Sequence, residues 1–552
     1  MNDGQRERVD GIFAAYLAQQ PPKAPGVAYG VVEEGALVHA GGLGTLRVGE
    51  ERRPGADGIF RIASMTKSFV AAAVLLLRDE GALRLDDPVE QWVPEIAGLP
   101  RATSDSPPVT LRHLLSMSSG HPEDDPWADR LESMPDDEYT ALLGTPRTLA
   151  RAPGVAFDYS NIGFTMLGRV LDRAGGQPYR DLVRERIIDP LGLRDTTWSE
   201  AGADRSRLAC GYALEDGAWV EQPVQAPGAF SALGGLYSTV ADLAVWVQGF
   251  IDAWPPRAGD DGHPLSRASR REMQQVATAL PLQIGDGAGL LRAQAHGYCL
   301  GLMSAEDLAT GRAIGHSGGY PGFGSRMTWH PASGVGVIAL ANGRYARPGA
   351  AVAEALALLV AEAPRRLRVE PLPALVEVRR SVDAALIAGD LAPLAPLLAV
   401  NVDLDEAVER RAARVAALAD AHGGLTPADG FRTMTPTQAA WWLEGERGRV
   451  GVELMIDPEH PTRIQQLAVE SVLPSSPELE QARAAALAGL DADADLGPAL
   501  LPLRATSWVA CDGARTGAVL VEGAHLDARL HLDLDADPVA TWSPEERWPL
   551  PA

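Results

Sequence analysis

Val9, Ile12, Phe13, Tyr16 and Leu17 recur at helical spacing and predict an amphipathic first helix. Two apolar runs, 27–32 and 36–40, flank Glu33-Glu34-Gly35 and read as a hairpin. A strand-like segment at 59–62 then meets an apolar helix that ends near Gly81, and a long helix-rich stretch follows. Strand-like runs return at 313–318, 323–329 and 335–341. Val352, Leu356, Leu359 and Val360 share one face of a closing helix. Early strands, a helical insert and late strands predict one α+β domain over 1–363, its two ends sharing a sheet.

Residues 364–373, with Arg365, Arg366 and three prolines, read as a linker. Helical segments follow at 375–388 and 404–421. Strands come next at 439–443, at the alternating Val450, Val452, Leu454 and Ile456, and at 464–472. Two helices and a meander predict a small α+β accessory domain over 374–473. Pro474-Ser475-Ser476-Pro477 breaks the chain before a tail or extra β segment, 474–552.

Composition narrows the function. At 552 residues the chain exceeds one compact core, so two or three domains are expected. A net charge of −24 disfavours nucleic-acid binding, which needs basic patches to neutralise phosphates. The longest apolar run, 69–77, is far short of the ~20 residues of a membrane span. The opening MNDGQRERVDGIF lacks the pattern of a secretory signal, and Cys210, Cys299 and Cys511 form no disulfide or zinc motif. A cytoplasmic protein without metal or cofactor is expected. Asp491, Asp493 and Asp495, and again Asp533, Asp535 and Asp537, alternate like calcium loops. Both lack the sixth-position glycine and carry Pro502 or Pro544 at the twelfth, so solvated turns are the better reading. Less ordinary is the basic count: 47 Arg and only two Lys, Lys23 and Lys67. Where only charge is needed this chain uses arginine, so a retained lysine invites a chemical explanation.

Ser64-Met65-Thr66-Lys67 lies where the 59–62 segment meets the apolar helix. Three residues apart, the serine and lysine share a helix face, so the amine reaches the hydroxyl. Serine is a poor nucleophile until a base takes its proton; an amine can do so, a guanidinium effectively cannot. Tyr159-Ser160-Asn161 precedes another apolar helix. A tyrosine beside an ammonium can shuttle a proton, and an asparagine can hold a substrate amide. Gly315-His316-Ser317-Gly318-Gly319 fits the G-x-S-x-G nucleophile elbow, which requires a helix next. The following Tyr320-Pro321-Gly322 cannot begin one, so a strand with His316 facing a cleft is preferred.

Ser64-x-x-Lys67, Tyr159-x-Asn161 and His316-x-Gly318, in this order, resemble the penicillin-recognising serine hydrolases. More specifically they look like the class C β-lactamase, D-aminopeptidase and esterase branch. Leu111-Arg112-His113-Leu114-Leu115 with Ser119-Gly120 agrees, as does Gly234-Gly235-Leu236-Tyr237-Ser238-Thr239 with Asp242-Leu243. The resemblance implies a β-lactamase/transpeptidase-like antiparallel sheet flanked by terminal helices, with a helical subdomain. It also implies a Ser64 acyl-enzyme, with Lys67 and Tyr159 sharing base and acid roles. Backbone N–H groups of Ser64 and Gly319 would hold the oxyanion, and Asn161, His316 and Gly318 would contact substrate. The β-lactamases and penicillin-binding proteins usually carry Lys-Thr-Gly where this chain has His316-Ser317-Gly318. That replaces a permanent cation by a group largely neutral at pH 7. The expected function is hydrolysis of an ester, amide or peptide by an esterase, D-aminopeptidase or amidase. β-Lactamase or D-Ala-D-Ala carboxypeptidase activity is the alternative, and a catalytically silent sensor or scaffold the alternative from another class. Residues 374–473 resemble nuclear-transport-factor-like accessory domains.

Overall fold

The computed structural model describes the chain except residues 124–128, 285–292, 308–310, 364–368, 429–430, 493–502, 504, 523–526, 537–539 and 546–552. The chain divides into two compact units. The first comprises Met1–Ile284 and Gln294–Pro364.

Asn2 caps α1 (Asp3–Leu17) through a reciprocal pair with Gln5. A hairpin follows, β1 (Gly26–Glu33) and β2 (Ala36–Gly44), turning at Glu34 and Gly35, both at positive φ. The expected strand at 59–62 is only two residues long, Phe60–Arg61, paired with Tyr237–Ser238. From there the chain tightens into a 3-10 turn, Ala63–Met65, and runs into α2 (Thr66–Asp79). The helix-rich insert includes α3 (Asn161–Gly175) and α4 (Val240–Asp252). The late strands are β3 (Ala293–Tyr298), β4 (Met303–Asp307), β5 (Gly311–Tyr320), β6 (Phe323–His330) and β7 (Val335–Ala341), closed by α5 (Gly349–Glu362).

These strands form one antiparallel sheet in the order β2-β1-β7-β6-β5-β4-β3, with Thr278–Ala279 beyond β3. Its first and last sequence portions meet where β1 pairs β7, Val27 opposite Ala341. The period-2 geometry of strands explains why β1 and β7 are apolar on both faces. Val27, Tyr29, Val31, Val337 and Ala339 pack with α1 and α5. Ala28, Val32, Ile338 and Leu340 face the larger core built with α2, α3 and α4. Ser317 lies mid-strand in β5 and another strand follows, so the nucleophile-elbow pattern has no elbow.

In the second unit, α6 (Pro373–Ala388) matches its expectation, while the expected 404–421 helix is broken. It forms α7 (Val400–Asp405) and α8 (Val408–His422), because Glu406 takes an extended backbone between them. The meander is β8 (Gln438–Gly445), β9 (Arg449–Ile456) and β10 (Ile464–Val472). Its described continuation holds a helix, Pro477–Ala488, and four strands, β11 (Ala505–Cys511), β12 (Thr516–Glu522), β13 (Asp527–Asp533) and β14 (Ala540–Glu545). These four extend the same sheet through a parallel junction at Val472 and Cys511. The meander and its extension have separate apolar cores. Of the calcium-like runs, Asp493, Asp495 and Asp537 lie outside the described residues, as does the 364–368 part of the linker. Asp535 is paired with Arg515. Among the described residues no helix is long and apolar enough to cross a membrane.

Candidate active site

Ser64 sits in the 3-10 turn that feeds α2, immediately after Ala63, whose φ of 47° is costly for a residue with a Cβ. Lys67 follows one turn later on α2 with no solvent exposure. Its Nζ donates to Ser64 Oγ at 3.1 Å, Asn161 Oδ1 at 2.9 Å and the Leu233 carbonyl at 2.6 Å. A buried amine needs hydrogen-bond acceptors of this kind in place of water. Lys23, the other lysine, is exposed.

Asn161 opens α3 because Ser160 caps that helix, its Oγ accepting the Gly163 N–H at 3.2 Å. Tyr159, one residue earlier, brings its ring centroid to 5.1 Å from Lys67 Nζ. Its ring also meets Tyr298 edge-on and lies 6.5 Å from the His316 ring. Ser64, Tyr159 and Asn161 therefore surround the Lys67 amine, and His316 lies beside the tyrosine.

His316 is 1% exposed, and its protonation follows from its partners. Nδ1 lies 2.6 Å from the Ser317 carbonyl, which can only accept, so Nδ1 carries the proton. Nε2 then accepts from the Tyr298 hydroxyl at 3.1 Å. Burial first, and then the charge of Lys67, depress His316 to about 3. The residue occupying the usual lysine position is thus a neutral imidazole at working pH.

Gly318 and Gly319 are required by close approach. A Cβ on Gly318 would collide with the Ile62 carbonyl and Ser325 Oγ, whose hydroxyl donates to that same carbonyl at 2.8 Å. A Cβ on Gly319 would lie 2.8 Å from the Tyr345 ring. The pair lets β5 press against the turn that carries Ser64. Strand β4 stops pairing at Met303 opposite Gly315, so the end of β5 beyond Gly315 has no ladder partner from β4.

Sequence reasoning missed several residues here. Tyr298 and the Leu233 carbonyl touch His316 and Lys67 from distant parts of the chain. Arg61 and Glu132, each 1% exposed at the side chain, form a buried ion pair behind the nucleophile. Arg61 Nε also donates to the Gly234 carbonyl at 3.1 Å, next to the Leu233 carbonyl that Lys67 uses. The signal available was Gly234-Gly235, already visible as a family-like stretch; no motif marks Arg61, Glu132 or Tyr298.

This fold and this arrangement define a β-lactamase/transpeptidase-like protein. The family model described as Beta-lactamase matches residues 9–362, and the chain belongs to that family, a family of serine hydrolases. The D-alanyl-D-alanine-carboxypeptidase/endopeptidase AmpH of Escherichia coli (strain K12) is 32% identical over 240 residues, 42% of this chain and 58% of AmpH. The chain thus spans less than two thirds of that relative. The octameric penicillin-binding protein homologue from Pyrococcus abyssi shares the fold at a TM-score of 0.55 and 20% identity, over 97% of both chains. A D-stereospecific amidohydrolase from Streptomyces sp. does so at 0.50 and 24%, over 64% of this chain and 98% of that one.

Proposed function

We propose that the protein hydrolyses an ester or amide through an acyl-enzyme on Ser64. The observation that carries this reading is the fully buried Lys67 amine hydrogen-bonded to Ser64 Oγ. In this reading Lys67, held beside Ser64 and the Tyr159 ring, serves as the fixed cation, and Tyr159 takes the serine proton as a phenolate stabilised by that cation. The same tyrosine returns the proton to the leaving group. The N–H groups of Ser64 and Gly319 hold the oxyanion, where one donor is worth about 3–4 kcal/mol. Asn161, whose oxygen accepts from Lys67, contacts the substrate amide in this reading. His316 shapes the cleft as a neutral group.

Within this chemistry the reading is an esterase, D-aminopeptidase or amidase. The neutral His316 supports it, because no cation stands at that position to bind a substrate carboxylate. The kinship with AmpH favours the second reading, a D-alanyl-D-alanine carboxypeptidase. The three unpaired cysteines suit a reducing compartment, and a cytoplasmic location, to be checked by cell fractionation, belongs to the same proposal.

A fluorophosphonate is expected to label Ser64, and Ser64→Ala to abolish both labelling and turnover of p-nitrophenyl esters. Equal labelling of the variant would overturn the assignment of the nucleophile. Absence of any Ser64-dependent turnover would favour a silent sensor. Esters, D-aminoacyl amides, a D-Ala-D-Ala peptide and nitrocefin run side by side separate the substrate classes.

A further inference from the structure

Asp129 begins a short 3-10 turn, Asp129–Leu131, and is only 8% exposed. A short series of contacts ties it to the nucleophile. The Tyr345 hydroxyl donates to Asp129 Oδ2 at 3.2 Å. The Tyr345 ring packs on Gly319, and neighbouring Gly318 presses on the Ile62 carbonyl, two residues before Ser64. The backbone of Tyr345 is held at φ 46°, an uncommon conformation for a bulky residue, so its ring direction is built in rather than incidental.

The nearby charges are otherwise engaged. Glu132 has Arg61 and the Ser231 hydroxyl. Lys67 donates to Ser64, Asn161 and Leu233. Among the described residues none forms an ion pair with Asp129. Burial, reinforced by the charge of Glu132, raises its carboxyl to about 6 against the opposing fields of Lys67 and Arg61 and the Tyr345 hydrogen bond. At neutral pH it is therefore mainly an ionised carboxylate, largely out of water, and the Tyr345 hydroxyl is its side-chain donor among the described residues. Such a group is costly unless a cation completes it.

We propose that Asp129 binds a primary ammonium of the substrate, which makes aminoacyl amides and esters with a free amino group the preferred class. This deepens the acyl-enzyme reading and rests on it. An α-ammonium lies two bonds from the scissile carbonyl, and Asp129 lies one tyrosine side chain beyond Gly319, the residue assigned to the oxyanion. The amine completes the buried carboxylate while the carbonyl meets Ser64. An N-acetylated substrate would instead bring an uncharged amide to an ionised carboxylate.

The test compares kcat/KM of the full chain on D- and L-alanine p-nitroanilide with their N-acetyl counterparts. The better free-amine substrate is expected to exceed its acetylated form at least tenfold. Asp129→Asn should lower that ratio about 10- to 100-fold, the range of a charge-assisted hydrogen bond, mainly through KM. Asp129→Glu should restore part of it. Equal rates, or a preference for the acetylated substrate, in the unsubstituted protein overturn the proposal without requiring any variant to fold. So does an Asp129→Asn variant that loses both substrates in proportion, which assigns Asp129 to the support of Tyr345. If no anilide is hydrolysed, inhibition of p-nitrophenyl acetate turnover by alaninamide against N-acetylalaninamide reads the same preference. Ser64→Ala separates the two levels. Free-amine hydrolysis that survives it sinks the acyl-enzyme reading, whereas its abolition with no amine preference sinks Asp129 alone.

Discussion

A buried imidazole with a pKa near 3 makes His316 a stability element with a definite pH sign. In the unfolded chain its pKa is about 6.5. Below that value the unfolded state binds a proton that the folded state refuses. Stability from the neutral imidazole is therefore complete above about 6.5 and is lost as pH falls towards 3, by up to about 1.4 kcal/mol per pH unit. His121 and His263, each held at about 4 by burial, act in the same direction. Urea midpoints at pH 7 and pH 5 should differ less in His316→Gln than in the parent. An equal difference would mean that His316 titrates in the folded protein. At this scale the sequence disclosed what spacing discloses. Ser64 with Lys67 and Tyr159 with Asn161 are local patterns, and the Arg-rich composition drew the eye to Lys67. Tyr298 and the Leu233 carbonyl were illegible because their contacts arise only when distant segments pack.

Strand β5 meets the nucleophile turn so closely that the smallest added group has nowhere to go. Gly318→Ala would drive its methyl into the Ile62 carbonyl and Ser325 Oγ, separating β5 from the turn that carries Ser64. Ester turnover is expected to fall about 100-fold, since misplacement by about 1 Å costs that much. A circular-dichroism spectrum like the parent's would show the loss to be local. Behind the same turn, Glu132→Ala strands the Arg61 guanidinium in the core. Chemical denaturation should register a loss of about 3–5 kcal/mol, the range for breaking a buried pair. Loss below about 1 kcal/mol would show that water reaches Arg61. Elements with strong periodicity were the legible ones. The N-terminal helix and hairpin, β5 to β7 and the alternating meander all match expectation. Strands β3 and β4 were missed because short runs such as Met303–Asp307 carry neither alternation nor apolar weight. The 404–421 segment looked continuous because its pattern crosses Glu406, where the backbone in fact leaves the helix.

Ser64, Lys67, Tyr159, Asn161, Asp129 and His316 all belong to the first compact unit, which has its own apolar cores. A shortened chain of residues 1–363 is accordingly expected to fold and to react with a fluorophosphonate at Ser64. Failure to label, in a fragment that unfolds cooperatively, would give the second unit a part in the site. The single α+β layout of this unit was readable because its strands cluster at the two ends of the 1–363 segment. Beyond 474 the expectation stayed open between a tail and an extra β segment, and the described strands there pair mostly with one another. The split sheet also carries a cost during synthesis. Strand β1 leaves the ribosome long before β7, which must pair with it, since about 300 residues separate Glu33 from Val335. At roughly 5–20 residues per second, the β1 edge waits about 15 to 60 s for its neighbour. A Val-rich edge exposed for that long invites pairing with other nascent chains, so chaperone supply during translation, more than final stability, should govern how much protein a cell obtains.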